Sequence, residues 1–289
     1  MIKKLILLIT FITGLSILLY PSISQYWNSY TQSRSISEYN KILKNNNSLY
    51  YSTLLESANA YNKALADLEF PLIEYKKLNN YNYNNILNIN NKGMIGYISI
   101  AKLNIELPIY HSTSSSVLNV AVGHLEGSSL PIGGNSTHSV LSAHRGLPSA
   151  KLFTNLNKLE IGDTFTITIL NEELTYQVDK IVIVEPDDIS SLNIVKDKDY
   201  VTLMTCTPYG INTHRLLVRG TRIDNIAKLN ISIINEASRI DSSLVAILLT
   251  LIIIFILMII LKFKKREGVC YEENINNYNA YDNGFNKSN

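Results

Sequence analysis

Cysteine is nearly missing from this chain: Cys206 and Cys270 are the only two in 289 residues. A disulfide-stapled scaffold is thereby excluded. Neither cysteine belongs to a C-x-x-C pair, and the five histidines show no H-x-x-x-H spacing, which argues against a metal site. Charge is scarce too. Charged residues are 17% of the chain, below the usual quarter, and the net charge of +2 with a pI near 8.3 is too mild a basic excess for nucleic-acid binding. There is no internal repeat and no glycine-rich phosphate loop, so nucleotide-cradling classes drop out as well.

Two apolar stretches account for the missing charge. Leu5 to Tyr20 follows Lys3-Lys4, and Leu244 to Leu261 is apolar save Thr250 and runs into Lys262, Lys264, Lys265 and Arg266. The second is long enough to span a bilayer. The first is shorter, an anchor or a signal peptide; Pro21-Ser22-Ile23-Ser24 is only a weak cleavage site, which favours an uncleaved anchor. Positive charge before the first stretch and after the second places both termini in the cytoplasm and residues 21–243 outside. On that topology Cys206 and Cys270 lie on opposite sides of the membrane. An unpaired cysteine outside is prone to oxidation, so chemistry is the reason to keep Cys206, while Cys270 reads as a plain tail residue.

In chain order, Leu54, Leu55, Ala58, Tyr61, Leu65 and Leu68 recur at three- and four-residue steps, which predicts helix over 35–70, interrupted at Asn45-Asn46-Asn47. Residues 71–92, rich in Asn, Tyr and Lys, read as a long loop, hence a lid or a linker. From Gly93 the texture is short β runs: 96–101, 105–110, 139–142, 164–170, 174–184, 200–204 and 216–220, with a short helix at 149–159. That spacing predicts a closed barrel or a sandwich. The organisation is then an anchor or signal segment at 1–20, a helical region and lid at 21–92, the β domain at 93–223, a connecting helix at 224–243, a transmembrane helix at 244–261 and a cytoplasmic tail at 262–289.

The chemistry concentrates around Cys206. It ends one β-prone run, a Pro/Gly/Asn loop follows, and Leu216 to Val218 forms a second run, so the pair reads as an antiparallel hairpin. If Cys206 lies opposite Arg215, thiol and guanidinium share a face, and the fixed charge stabilises a thiolate or a reaction oxyanion. The plain alternative is a buried structural cysteine. Acyl transfer also needs a proton carrier. His144 is the first choice, because it ends the run that starts at His138 and a glycine turn follows it at Gly146. His111, His124, His138 and His214 read as structural, as do Arg219 and Arg222 beside Arg215. The residues alone therefore point to a membrane-held β domain with a Cys–His–Arg site for acyl transfer, its acyl donor unnamed.

At this point the chain resembles a known family. Residues 202–220, Thr-Leu-Met-Thr-Cys-Thr-Pro-Tyr-Gly-Ile-Asn-Thr-His-Arg-Leu-Leu-Val-Arg-Gly, are similar to the catalytic strand pair of sortases, above all those of the pilin-polymerising class C. Gly123-His-Leu-Glu-Gly-Ser-Ser-Leu-Pro-Ile-Gly-Gly, Ser142-Ala-His-Arg-Gly-Leu-Pro-Ser-Ala-Lys-Leu-Phe and Leu107-Pro-Ile-Tyr-His111 look like that class's other blocks, in the same order. The resemblance runs from Gly93 to Ile223. It implies a mainly β fold, an eight-stranded sortase-type barrel with short helices, preceded by the helical region and flanked by the two membrane helices. It implies Cys206, His144 and Arg215 as the catalytic residues, with Thr205 and Thr207 as substrate-binding candidates and no cofactor or metal. It also implies the reaction. Cys206 cleaves an LPXTG-like sorting signal at Thr–Gly, and a lysine amine of a pilin subunit resolves the thioester. Attachment of surface proteins to peptidoglycan is the alternative within the family. A membrane-bound thiol protease and a non-enzymatic β module are the alternatives outside it. The abundance of Asn, Ile, Lys and Tyr suits a Gram-positive bacterium with an AT-rich genome. One departure stands out: class C sortases usually carry an Asp-Pro-aromatic lid motif, and no Asp-Pro pair occurs in this chain. Asp67-Leu-Glu-Phe70-Pro71 is the nearest stretch. The expectation is that residues 66–92 still form a lid, with Phe70 and Pro71 or a nearby tyrosine over the groove; a plain linker is the alternative.

Overall fold

Period-two alternation is visible in Thr164–Ile169, where Phe165, Ile167 and Ile169 are buried and the threonines between them are not. Eight such strands close on themselves in the computed structural model, which describes residues 2–45, 48–89, 91–225, 251–252 and 255–256. They are β1 (Met94–Ile100), β2 (Ile105–His111), β3 (Val122–His124), β4 (Thr137–Ser142), β5 (Thr164–Ile169), β6 (Glu172–Val184), β7 (Asp199–Thr207) and β8 (His214–Ile223). Their order around the barrel is β1-β2-β3-β4-β7-β8-β6-β5, and β5 returns to β1 through Tyr97–Thr168 and Ser99–Thr166. The β2–β3 and β4–β7 pairs are parallel; the others are antiparallel. Closure removes every sheet edge and rules out the sandwich alternative. Each of the seven predicted runs is a strand. The eighth, β3, spans only three residues, too short to show a period.

Inward side chains of all parts of the sheet fill the barrel, among them Ile98, Ile109, Phe165, Tyr176, Val201, Leu203 and Val218. Burying each contributes roughly 1.5–3 kcal/mol. One expected element is absent. Residues 149–159 form turns and a single 3-10 turn at Leu156–Lys158 instead of a helix. Leu152 sits at φ 37, outside helical backbone space, and the Phe153 N–H bonds to the His144 carbonyl (3.1 Å) rather than up a helix. That bond makes 144–153 a closed loop.

The helical region is two helices, α1 (Ile2–Asn45) and α2 (Ser48–Ala66). α1 crosses the expected boundary at residue 20 without a break, although it contains Pro21. Its last third packs on the barrel through Gln32, Ile36, Tyr39 and Leu43, spaced four, three and four apart. Tyr39 is the anchor: its hydroxyl donates to the Ile95 carbonyl (3.0 Å) and accepts the Leu170 N–H (2.8 Å). α2 buries Ala58, Tyr61 and Leu65 from its predicted stripe, and Asn62 pairs with both backbone groups of Leu130. Among the described residues no helix is long and apolar enough to cross a membrane. Side chains of residues 1–4, 7 and 8 lie outside the description, as do the connecting helix from residue 226, most of 244–261 and the whole tail with Cys270. Both membrane segments therefore stand as expectations.

Candidate active site

Three strands and one strand end build the site on the outer face of the barrel. In β7 the side chains of Val201, Leu203, Thr205 and Thr207 point inward, so Thr202, Met204 and Cys206 point outward. Register then stacks rows across the sheet. Cys206 pairs with Arg215 of β8, which pairs with Val184 of β6; one step down, Met204 pairs with Leu217, which pairs with Val182. On the other side β4 runs parallel to β7 up to Ser142–Met204, and the Ala143 N–H still donates to the Met204 carbonyl (3.1 Å). His144, the next residue, leaves the sheet in step with Cys206. The sequence-predicted triad is thus carried on three adjacent chain segments, in the order His144, Cys206, Arg215 across the sheet.

Below this row lies an apolar floor. Val140, Leu217 and Leu192 are buried, and Met204, Leu125, Val182, Val184 and Ile189 pack around them. Composition-level reading missed this second cluster, although a signal was present: the runs Ile181–Val184 and Leu216–Val218 are apolar without alternation, as strands covered on both faces are. The β6–β7 connection walls the floor with Ile189 and Leu192. It is fastened by His138, whose Nδ1 bonds the Asn193 carbonyl (2.8 Å) while Nε2 meets the Thr202 hydroxyl (2.7 Å).

The five histidines separate by environment. His124 is wholly buried between the Tyr83 hydroxyl (2.7 Å) and the Ser129 carbonyl (2.8 Å), and burial pushes its pKa down to about 4. His138 is held down to about 4 for the same reason, and burial lowers His111 as well. These three are fixed neutral members of the fold. His144 and His214 keep access to solvent. His214 is engaged elsewhere, with Glu185 (3.1 Å) and the Thr213 hydroxyl (2.8 Å), so His144 is the solvent-accessible histidine without such an engagement beside the Cys206 row. Arg215 is oriented by the backbone, its Nη1 donating to the His214 carbonyl (3.1 Å).

Two expected substrate contacts are corrected. Thr205 is 1% exposed and donates its hydroxyl to the Ala143 carbonyl (2.7 Å); Thr207 is buried and accepts from Arg145 Nη1 (2.9 Å). As immediate neighbours of Cys206 in a strand, both must face away from it. Their side chains clamp the chain on either side of His144. The loop after His144 is also held from outside: Gly146 sits at φ +77, where a Cβ would lie 2.9 Å from the Tyr209 ring.

Residues 66–89 are packed on the barrel, unlike a free linker. They contain a one-turn helix, α3 (Pro71–Glu74), and 3-10 turns at Tyr75–Lys77 and Tyr83–Asn85. Pro71 is buried at the first helical position, Leu72 joins the apolar floor beside Met204, and Tyr75 covers Gly127, where a Cβ would come within 2.7 Å of its ring. Tyr83 fixes the far end on His124. Phe70 is the correction here: it is 54% exposed and is absent from the apolar floor under the Cys206 row, lining instead, with Pro71, a separate cavity that reaches Gly133 and Asn193. Pro71, by entering the helix directly after it, turns Leu72 inward in its place. Among the described residues, no cluster of three His, Cys, Asp or Glu side chains is placed to hold a metal ion.

Comparison with known proteins gives one consistent picture. A family model described as the sortase domain matches residues 98–223. The chain is 33% identical over 131 residues to sortase D of Bacillus subtilis (strain 168), covering 44% of this chain and 63% of that protein. It spans under two thirds of the length of the curated relatives it matches. Among solved structures it is 52% identical to sortase C1 from Streptococcus agalactiae, with a TM-score of 0.63, covering 67% of this chain and 100% of that one. It is 45% identical to Clostridium perfringens sortase C solved with the C-terminal cell wall sorting motif, with a TM-score of 0.57, covering 67% and 100%.

Proposed function

The chain belongs to the sortase family, its structural neighbours are class C sortases, and from that premise we propose that it is a pilin-polymerising cysteine transpeptidase. The observation that carries this reading is the row His144–Cys206–Arg215 at the head of an outward apolar floor. The floor fits the Leu-Pro part of an LPXTG-like signal, and the row fits its Thr–Gly bond. Cys206 thiolate adds to the threonine carbonyl, and Arg215 donates to the oxyanion with its fixed fork. The tetrahedral intermediate collapses as the C–N bond breaks, and His144 gives its proton to the departing glycine amine. A lysine amine of the next subunit then adds to the thioester, loses a proton to His144 and expels the Cys206 thiolate, leaving an isopeptide bond.

Residues 66–92 act as the lid of this site in our reading, with Leu72 and Tyr75 in the places where an Asp-Pro-aromatic motif is absent. Support comes from the packing of Leu72 on the floor that a substrate must occupy. The membrane reading rests on the two apolar stretches and their lysine flanks: catalytic domain outside, both termini cytoplasmic.

The test incubates the full chain, in detergent, with an LPXTG-type peptide and a lysine-bearing acceptor, and reads the products by mass spectrometry. Ligated product that disappears in Cys206→Ala is the expected result. Hydrolysed peptide alone would favour the thiol protease, and transfer only to a peptidoglycan-type amine would favour the anchoring reading. Absence of any adduct on Cys206 would sink all three.

A further inference from the structure

Two walls of the apolar floor run on into a second cavity. On the β6–β7 connection Leu192 packs on the floor, and the next residues, Asn193 and Ile194, line the cavity. On the other side Leu72 packs on the floor, and Phe70 and Pro71, just before it, line the cavity. The 133–137 connection into β4 and the exposed positions Asn59, Lys63 and Asp67 in and after α2 complete it, at about 920 Å³. That is near the upper end of the range for ligand pockets, with room for several residues of polypeptide.

Its chemistry differs from the floor's. Asn135 and Asn193 bring exposed side-chain amides, each able to donate and to accept, as the alternating N–H and C=O groups of an extended backbone require. Lys63 and Lys196 balance Asp67 and Glu69; all four are exposed, and none is ion-paired among the described residues. Phe70, 54% exposed, adds a free ring surface beside them. A polar polypeptide suits such a lining better than an apolar molecule, which would leave these groups without partners.

Distance along the strands decides which part of a substrate arrives here. Thr137, which lines the cavity, pairs with Asp199, seven residues before Cys206 on β7 and hence about 23 Å from the catalytic row at about 3.3 Å per residue. With the threonine of an LPXTG-like signal at Cys206 and its leucine on the floor, the motif uses about 10 Å of that length. The remaining span takes about four more residues. We infer that the cavity is a second substrate subsite, which takes the polar, extended polypeptide lying roughly three to five residues upstream of the motif's leucine. This assignment rests on the transpeptidase reading.

The test gives the full chain, in detergent, two LPXTG-type donors with the same lysine-bearing acceptor. One donor begins a single residue before the motif, and the other carries a polar extension of six residues there. The longer donor should show about tenfold higher kcat/KM, carried by KM, the factor that one or two well-made hydrogen bonds control. Asn135→Trp, which fills the cavity from the connection into β4, should bring that ratio close to one, as should Lys63→Trp from α2. Equal rates on both donors in the unaltered protein, or a ratio that neither variant changes, overturns the inference. Binding is read apart from turnover, with a photo-crosslinking residue placed four positions upstream of the leucine and Cys206→Ala as the protein. The crosslink should fall within 59–71, 133–137 or 193–196. Attachment elsewhere, or none, overturns the inference. Attachment there with neither donor turned over by the unaltered protein would strike the transpeptidase reading and leave the subsite standing.

Discussion

The two faces of β7 are one residue apart in sequence and differ in everything else. Val201 and Leu203 point into the barrel at 1% and 0% exposure and share a core with strands from the whole circumference. Met204 and Cys206 point outward, half-buried, over a separate small cluster. Inward residues are chosen by packing volume, outward ones by what they present to a second molecule. Because the pleat alternates strictly, nothing between the two roles is available to Thr205 and Thr207, which is why both serve the fold.

The contrast can be broken first at its extremes. Cys206→Ala should abolish thioester formation and transfer in the peptide assay while moving the denaturation midpoint little, within about 0.5 kcal/mol. Leu203→Ala, three residues away on the inner face, should do the reverse: a loss of about 2–5 kcal/mol of stability with the site chemistry intact in whatever protein folds. Equal destabilisation by both would refute the division of faces. Next, Arg215→Lys should lower kcat by about 10²–10³-fold, since an ammonium keeps the charge and loses the two-pronged donor geometry an oxyanion needs. Full activity in that variant would remove Arg215 from the mechanism.

A pH series sharpens the same contrast among the histidines. His124 and His138 titrate near about 4 in the folded chain, against an ordinary 6.5. Between those values the unfolded chain binds the extra protons, so stability rises with pH there. The contribution is complete above about 6.5 and is lost as pH falls towards 4. Urea midpoints taken from pH 7 to 4.5 should drop steadily, and His138→Gln should drop less over the same range than the native sequence. Parallel curves would mean that His138 carries no such linkage.

Most of the barrel was legible because alternation and turn residues survive in a single sequence. Cys206 and Arg215 could be paired from their distance either side of a Pro/Gly/Asn loop, and the strands β7 and β8 hold that pairing. The three-residue β3 was not legible, since its partners β2 and β4 are found only in the folded chain. The helix expected at 149–159 failed because its register is overruled by a loop-closing bond from Phe153 back to His144. Phe70 drew attention as the aromatic beside a proline, yet the proline's fixed entry into α3 hands the inward position to Leu72. The misassignment of Thr205 and Thr207 was avoidable: the strand period alone turns both away from the thiol.

Smaller effects probe how the two faces communicate. Thr205 ties β7 to the carbonyl of Ala143, the residue before His144. Thr205→Val keeps the shape and deletes the hydroxyl, so it should cost about 1–3 kcal/mol, because the buried carbonyl loses this donor. If the bond also positions His144, the pH profile of kcat should shift, whereas a merely structural role would lower the midpoint and leave the profile alone.

The smallest expected change lies in residues 66–89, proposed above as part of a lid. Leu72 occupies the floor beside Met204, and its removal trades a partly buried contact for an open groove. Leu72→Ala should therefore raise kcat/KM for a soluble LPXTG-type peptide a few-fold, about the factor that a contact worth ~1 kcal/mol controls, and it should speed labelling of Cys206 by a bulky thiol reagent by a similar factor. Tyr75→Ala, which uncovers Gly127 without reaching the floor, should do less. Should labelling rates stay equal in all three proteins, residues 66–92 are packing for the barrel and the outer face of β7 is open at rest.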